Sequence, residues 1–95
     1  MYSVVRRYDG VTDPAEAGRR VKEEFIPLLH EVSGFVAYYW VNAGDGVMVS
    51  TSVFQDQAGE EESTKRAAEY VHANHLDKLL PNPPEVTTGH VVASG

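Results

Sequence analysis

Tyr38, Trp40 and Asn42 stand at every second position of the apolar stretch FVAYYWVNAG. An extended strand places such residues on one face. Two rings and a carboxamide on one face could stack on a planar ligand and hold its oxygen, as in apolar pockets with few polar groups. The same residues serve equally as core or dimer packing, with Asn42 opening a turn. Tyr39 poses that question on the opposite face. His75 lies near the inward stripe of a predicted helix and could be a general base, since imidazoles titrate near neutrality. Its alternative is a core or rim histidine bonded to a carbonyl. His90, in a last predicted strand with Thr88 and Val92, faces a pocket, a dimer seam or neither. Arg6 and Arg7 are strand neighbours on opposite faces, so one of them turns inward. An inward arginine could stabilise an enolate or carboxylate as a fixed positive charge, or pair with Glu85 or Asp9. The candidate site is therefore His75 and His90 for proton transfer, with Tyr38, Trp40, Asn42, Arg6 and Arg7 for substrate binding.

Other constellations are weaker. Glu69 and His72 have Glu-x-x-His spacing, and His72 lies three residues before His75. A di-iron site needs further carboxylates from other helices, and Glu16, Glu23, Glu24 and Glu31 lie mostly off the first helix's apolar stripe. No metal is expected. Gly44-Asp45-Gly46 reads as a hairpin turn, lacking the context of a phosphate or calcium loop. Ser50 and Ser52 sit in mid-strand without a paired base.

The elements that position these residues follow from patterning. Tyr2 to Tyr8 is β-branched and aromatic and ends at Asp9-Gly10. Asp13, Pro14 and Glu16 form a helix start. Ala17, Val21, Phe25, Leu28, Leu29 and Val32 then recur at close to the helical period. Pro27 kinks that helix or ends it, and Ser33-Gly34 closes it. Residues 34–54 predict two strands around a glycine-rich turn, apolar on both faces. Asp56 caps a second helix with Glu60, Glu61 and Glu62 in or near its first turn. Its inward stripe is Thr64, Ala67, Ala68, Val71, His75 or Leu76, and Leu79. Leu80-Pro81-Asn82-Pro83-Pro84 stops it. Glu85 to Ala93 is a final strand with a possible bulge at Gly89.

This order is β-α-β-β-α-β, the ferredoxin-like α+β arrangement of a four-stranded antiparallel sheet with two helices on one face. A sheet facing water on one side normally alternates cleanly, and this one does not. Two helices cover one face, so the other calls for a second copy of the chain, joined sheet to sheet as a homodimer.

With 95 residues the chain is expected to form one domain, 1–95. A net charge of −6 without a basic patch argues against nucleic-acid binding. The absence of cysteine excludes thiol catalysis, disulfides and cysteine-based metal sites. MYSVVRRYDG turns charged too early for a signal peptide, and no apolar run nears a membrane span of roughly 20 residues. A cytoplasmic protein without membrane association is expected.

The topology, the bare apolar face and the Gly34-Phe35 lead into the second strand resemble the dimeric α/β-barrel superfamily. Within it the chain is similar to the small antibiotic-biosynthesis-monooxygenase domains, over nearly its whole length. That resemblance implies a pocket inside each protomer, between sheet and helices. It also implies a choice among cofactor-independent monooxygenases on aromatic polyketides, haem-degrading enzymes and isomerases. The haem-degrading branch uses an Asn on the first strand, a Trp on the third and a His on the second helix. Here the first strand offers Ser3, Val4, Val5, Arg6 and Arg7, the third has no Trp, and only His72 or His75 is suitably placed. The quinone-forming monooxygenases use Asn, Trp and Tyr, residue types present as Asn42, Trp40 and Tyr38. The function expected is a cofactor-independent monooxygenase or isomerase acting on a small aromatic or enolisable substrate. The alternative is a non-catalytic, small-ligand-binding or stress-related dimeric module.

Overall fold

Strand β1 (Tyr2–Tyr8) opens the chain, and a computed structural model describes all residues, 1–95. Helix α1 follows as Pro14–Arg20, a π-helical turn Val21–Phe25 and a last turn Ile26–Leu29. The hairpin is β2 (Phe35–Gly44) and β3 (Val47–Phe54), then come α2 (Gln57–Ala73), a 3₁₀ turn Leu76–Lys78 and β4 (Glu85–His90). All pairings are antiparallel, in the order β2-β3-β1-β4. The expected ferredoxin-like α+β fold is the one observed.

Both helix starts form as their residues dictate. The Asp13 carboxylate accepts from the Glu16 amide at 3.2 Å, and Asp56 accepts from Gly59 at 3.0 Å. Pro27 neither breaks nor ends α1. Proline has no N–H to offer and its ring crowds the carbonyl four residues back. The π turn just before it, closed by Ile26 N–H donating to the Val21 carbonyl, accommodates that defect inside a continuous helix.

The helix-facing side of the sheet presents Tyr2, Val4, Arg6 and Tyr8 from β1, with Met48, Ser50, Ser52 and Phe54 from β3. Register puts Tyr38 beside Ser52, Trp40 beside Ser50 and Asn42 beside Met48, so the three β2 candidates share that side. The core is Val21, Phe25, Leu29 and Val32 against Phe54, Tyr70 and Leu76. The opposite side carries Val5, Tyr39 and Val41, which are 36 %, 63 % and 48 % exposed. It is apolar and uncovered, as the patterning predicts.

The structure differs from the sequence reading in the end and buried side of α2 and in β4. Helix α2 stops at Ala73 rather than near Leu79, because Asn74 caps it. Both the Asn74 backbone amide and its Nδ2 donate to the Tyr70 carbonyl at 3.0 Å. His75 then turns left-handed at φ 55°, so it leaves the helix instead of extending its stripe. The buried side of α2 is correspondingly Gly59, Glu60, Ser63 and Tyr70, rotated from the expected line. Strand β4 ends at His90 and pairs regularly through Gly89, while the irregularities fall in β2 near Phe35 and Asn42.

Candidate functional site

Two helices are too narrow for four strands, and β4 is left uncovered on the helix side. Val86 is 50 % exposed there. Between that strand, α2 and the proline-rich segment lies an open cleft of about 810 Å³, within the size range of small-molecule sites. Its floor is Arg6 and Tyr8 of β1 with Val86 of β4. Helix α2 supplies Glu60, Thr64, Ala67, Ala68 and Val71 along one wall. The far wall is Leu80, Pro81, Pro83 and Pro84, and His72, His75 and Asp77 stand where α2 gives way to that wall.

The far wall is tethered to the β1–α1 turn. Thr12 donates through its amide to the Leu79 carbonyl at 3.1 Å and through Oγ1 to the Lys78 carbonyl at 3.0 Å. Asn82 Nδ2 donates to the Asp9 carbonyl at 3.1 Å. Gly10 makes this approach possible. It sits at φ 69°, and a Cβ there would lie 2.6 Å from Asn82 Nδ2.

Charge in the cleft is organised by a short chain of hydrogen bonds. Arg6 Nη2 donates to Thr64 Oγ1 at 2.7 Å, and Thr64 Oγ1 donates to Glu60 Oε1 at 2.8 Å. Glu60 is buried in the first turn of α2, where the positive end of the helix favours its charge. Arg6 makes no ion pair. The ion pairs of the chain use Arg7, Arg19, Arg20 and Arg66.

Behind the floor lies an aromatic layer. Trp40 packs on Tyr8 with ring centroids 5.5 Å apart, and Phe25 meets Tyr38 edge-on at 5.7 Å. Burial pushes the Tyr8 phenol above its usual range, against the opposing pull of the Arg6 charge. Burial raises Tyr38 further, with Tyr8 adding to it and Ser50 and Arg6 opposing. Both phenols are therefore neutral donors at physiological pH. The Trp40 Nε1 proton is buried without an acceptor, a local cost of roughly 1–3 kcal/mol.

Of the residues singled out from sequence, Arg6 and His75 meet in the cleft. Trp40 stands one ring behind it, through Tyr8, and Tyr38 is packed on Phe25 in the core. Asn42 is exposed in the hairpin and accepts from the Gly44 amide at 3.0 Å. Arg7 is on the bare side and pairs with Asp9 at 3.2 Å. His90 lies at the opposite end of β1, edge-on to Tyr2 at 5.1 Å. Sequence reasoning missed Tyr8, Glu60 and Thr64 as site residues. Tyr8 was within reach, since it lies two residues from Arg6 and so on the same face. Glu60 was hidden in an acidic run that otherwise faces water.

The fold has counterparts among solved structures. A protein of unknown function from Nitrosomonas europaea superposes with a TM-score of 0.79 at 21 % identity, over 99 % of this chain and 91 % of that one. SnoaB, a cofactor-independent oxygenase from Streptomyces nogalater, gives 0.76 at 19 % identity over 98 % and 94 %. A monooxygenase from the gene ActVA-Orf6 of Streptomyces coelicolor, solved with nanaomycin D, gives 0.73 at 20 % identity over 98 % and 92 %. No protein-family pattern and no curated protein matches the sequence. The chain has the α+β fold of the antibiotic-biosynthesis-monooxygenase-like proteins, and it is the fold that these likenesses show.

Proposed function

We propose that the chain is a cofactor-independent oxygenase of small aromatic or enolisable compounds, acting as a homodimer joined through its bare sheet faces. The observation that carries this reading is the cleft itself: apolar walls, an arginine without an ion pair on the floor, a neutral phenol beside it and a histidine at the rim. SnoaB and the ActVA-Orf6 monooxygenase support the same reading from the side of fold. In the proposed reaction His75 takes a proton from an activated C–H. The Tyr8 phenol holds the resulting enolate oxygen, stabilising charge where it develops, and Arg6 beside it orients the substrate. The carbanion reacts with dioxygen to give a hydroperoxide, which loses water to leave a carbonyl. One O₂ is consumed, a CH₂ becomes C=O, and one H₂O leaves, so no external reductant is needed.

The test is anaerobic incubation with an anthrone followed by admission of oxygen. Quinone absorbance and O₂ uptake should rise together, one O₂ per quinone and faster than in buffer. Tyr8→Phe should lower the rate roughly 100-fold, the scale of losing one oxyanion donor. His75→Gly should lower it as well without weakening the fold, because glycine is at ease at φ 55°. A rate equal to buffer across a panel of anthrones and phenols would sink the enzyme reading and leave a ligand-binding dimer.

A further inference from the structure

We infer that the ligand of the cleft carries a carboxylate on an aromatic ring, that this carboxylate docks on Arg6, and that Glu60 positions Arg6 through Thr64. This rests on the reading of the cleft as the ligand site and adds the chemical class of what enters it.

Arg6 holds unused hydrogen-bonding capacity. A guanidinium offers a planar fork of N–H donors suited to a carboxylate. In Arg6 only one Nη2 proton has a protein acceptor, the Thr64 hydroxyl at 2.7 Å. The remaining donors have no protein partner, in a cleft walled by Ala67, Val71, Leu80 and Pro84. Those donors face the open cleft, free to meet an anion that enters it. Glu60 does not fill that role. Its carboxylate accepts from Thr64 rather than from the guanidinium, and its charge is met by the first turn of α2. Asp77, the other acidic residue of the cleft, is exposed in the 3₁₀ turn. The Glu60–Thr64–Arg6 chain therefore fixes the guanidinium plane and leaves its other edge for a ligand. The apolar walls and the Tyr8 ring suit an aromatic body attached to that anion. On a protein of net charge −6, an arginine outside every ion pair is a selective feature rather than part of a general attraction for anions.

The test compares two probes that differ only at the anion, 1-naphthoate and 1-naphthamide, titrated without oxygen into the full chain. Calorimetry and Trp40 emission, which senses Tyr8 at 5.5 Å, provide independent readouts. Naphthoate should bind at least tenfold more tightly. Arg6→Gln should erase the difference. Thr64→Val should shrink it while still binding naphthamide, and Thr64→Ser should restore it, a rescue that a merely structural role for Thr64 would not produce. Equal affinities in the unaltered protein, binding of neither probe, or a preference that survives Arg6→Gln would each overturn the inference. Failure of the oxygenase reading looks different: no quinone forms while the naphthoate preference persists.

Discussion

At the scale of single residues, what a side chain does here is decided by the space around it more than by its type. Two glycines show this. Both lie in helices, where alanine is intrinsically better by roughly 0.5–1 kcal/mol. At Gly18 a Cβ would meet the Trp40 indole at 3.8 Å, an ordinary contact. At Gly59 it would lie 3.0 Å from the Ser33 carbonyl oxygen and 3.2 Å from Phe54 Cβ. The same substitution should therefore have opposite signs. Gly18→Ala should raise unfolding stability by about 0.5–1 kcal/mol. Gly59→Ala should lower it by roughly 1–3 kcal/mol, the usual cost of overpacking. Urea melts of both variants check this, and a loss of stability at Gly18 would refute it. The space left by Gly18 also explains how the indole of Trp40 lies under α1.

At the scale of elements, the two helices are clasped together at their far side by one tyrosine. Tyr70 of α2 donates to Glu24 Oε1 at 2.6 Å, and Arg20 donates to the same carboxylate at 3.4 Å and to the Asn74 carbonyl at 3.1 Å. Burial first, then the bond to Glu24, pushes the Tyr70 phenol up to about 12. The same bond holds the Glu24 carboxyl below its usual range. The sign follows from linkage. A phenol whose pKa is higher in the folded chain binds its proton more tightly there, so its stabilisation is whole below pH 10 and is lost as pH rises toward 12. Tyr70→Phe should cost about 1 kcal/mol at neutral pH, and the gap to the unaltered protein should close above pH 10. Thermal melts between pH 8 and 12 that stay parallel would refute the clasp. Tyr8 and Tyr38 titrate in the same sense, which is why the difference between proteins, not the slope of either, is diagnostic. This clasp was not legible in the sequence. Glu24 and Tyr70 are far apart in the chain and each sits in an ordinary helical pattern. The helix starts at Asp13 and Asp56 were legible, because capping is local chemistry. The end of α2 was missed because a weak apolar period continues past Asn74 into the 3₁₀ turn, where Leu76 is buried from a different backbone path. The cleft itself was only half legible. Arg6 and His75 were named from residue type, but what unites them is the uncovered flank of β4, a property of how wide two helices are.

At the scale of the whole molecule, the uncovered side of the sheet is the feature that a single chain does not explain. Val5 in the centre, Val49 and Val53 of β3, and Tyr39 and Val41 of β2 all face the same way. Strand pairing sets Val41 beside Val49 and Val5 and Tyr39 on either side of Thr51, with Ser3 and Arg7 flanking Val5 along β1. Exposed apolar surface of this kind marks association sites, and the identity of the patch on every copy makes a two-fold arrangement the simplest closed one. The helix-side cleft would stay open in such a dimer, because it lies on the other face. The homodimer proposal therefore predicts sedimentation at about twice the 10.5 kDa chain mass. Val5→Lys with Tyr39→Lys should release monomers, since two like charges would be buried unpaired at the seam. Those positions face water in the lone chain, so helical content by circular dichroism should be kept. The naphthoate preference should survive as well, since Arg6 and Thr64 belong to one chain. A monomeric unaltered protein at micromolar concentration would end the proposal. A dimer indifferent to both lysines would move the seam elsewhere and leave the apolar face in need of another partner.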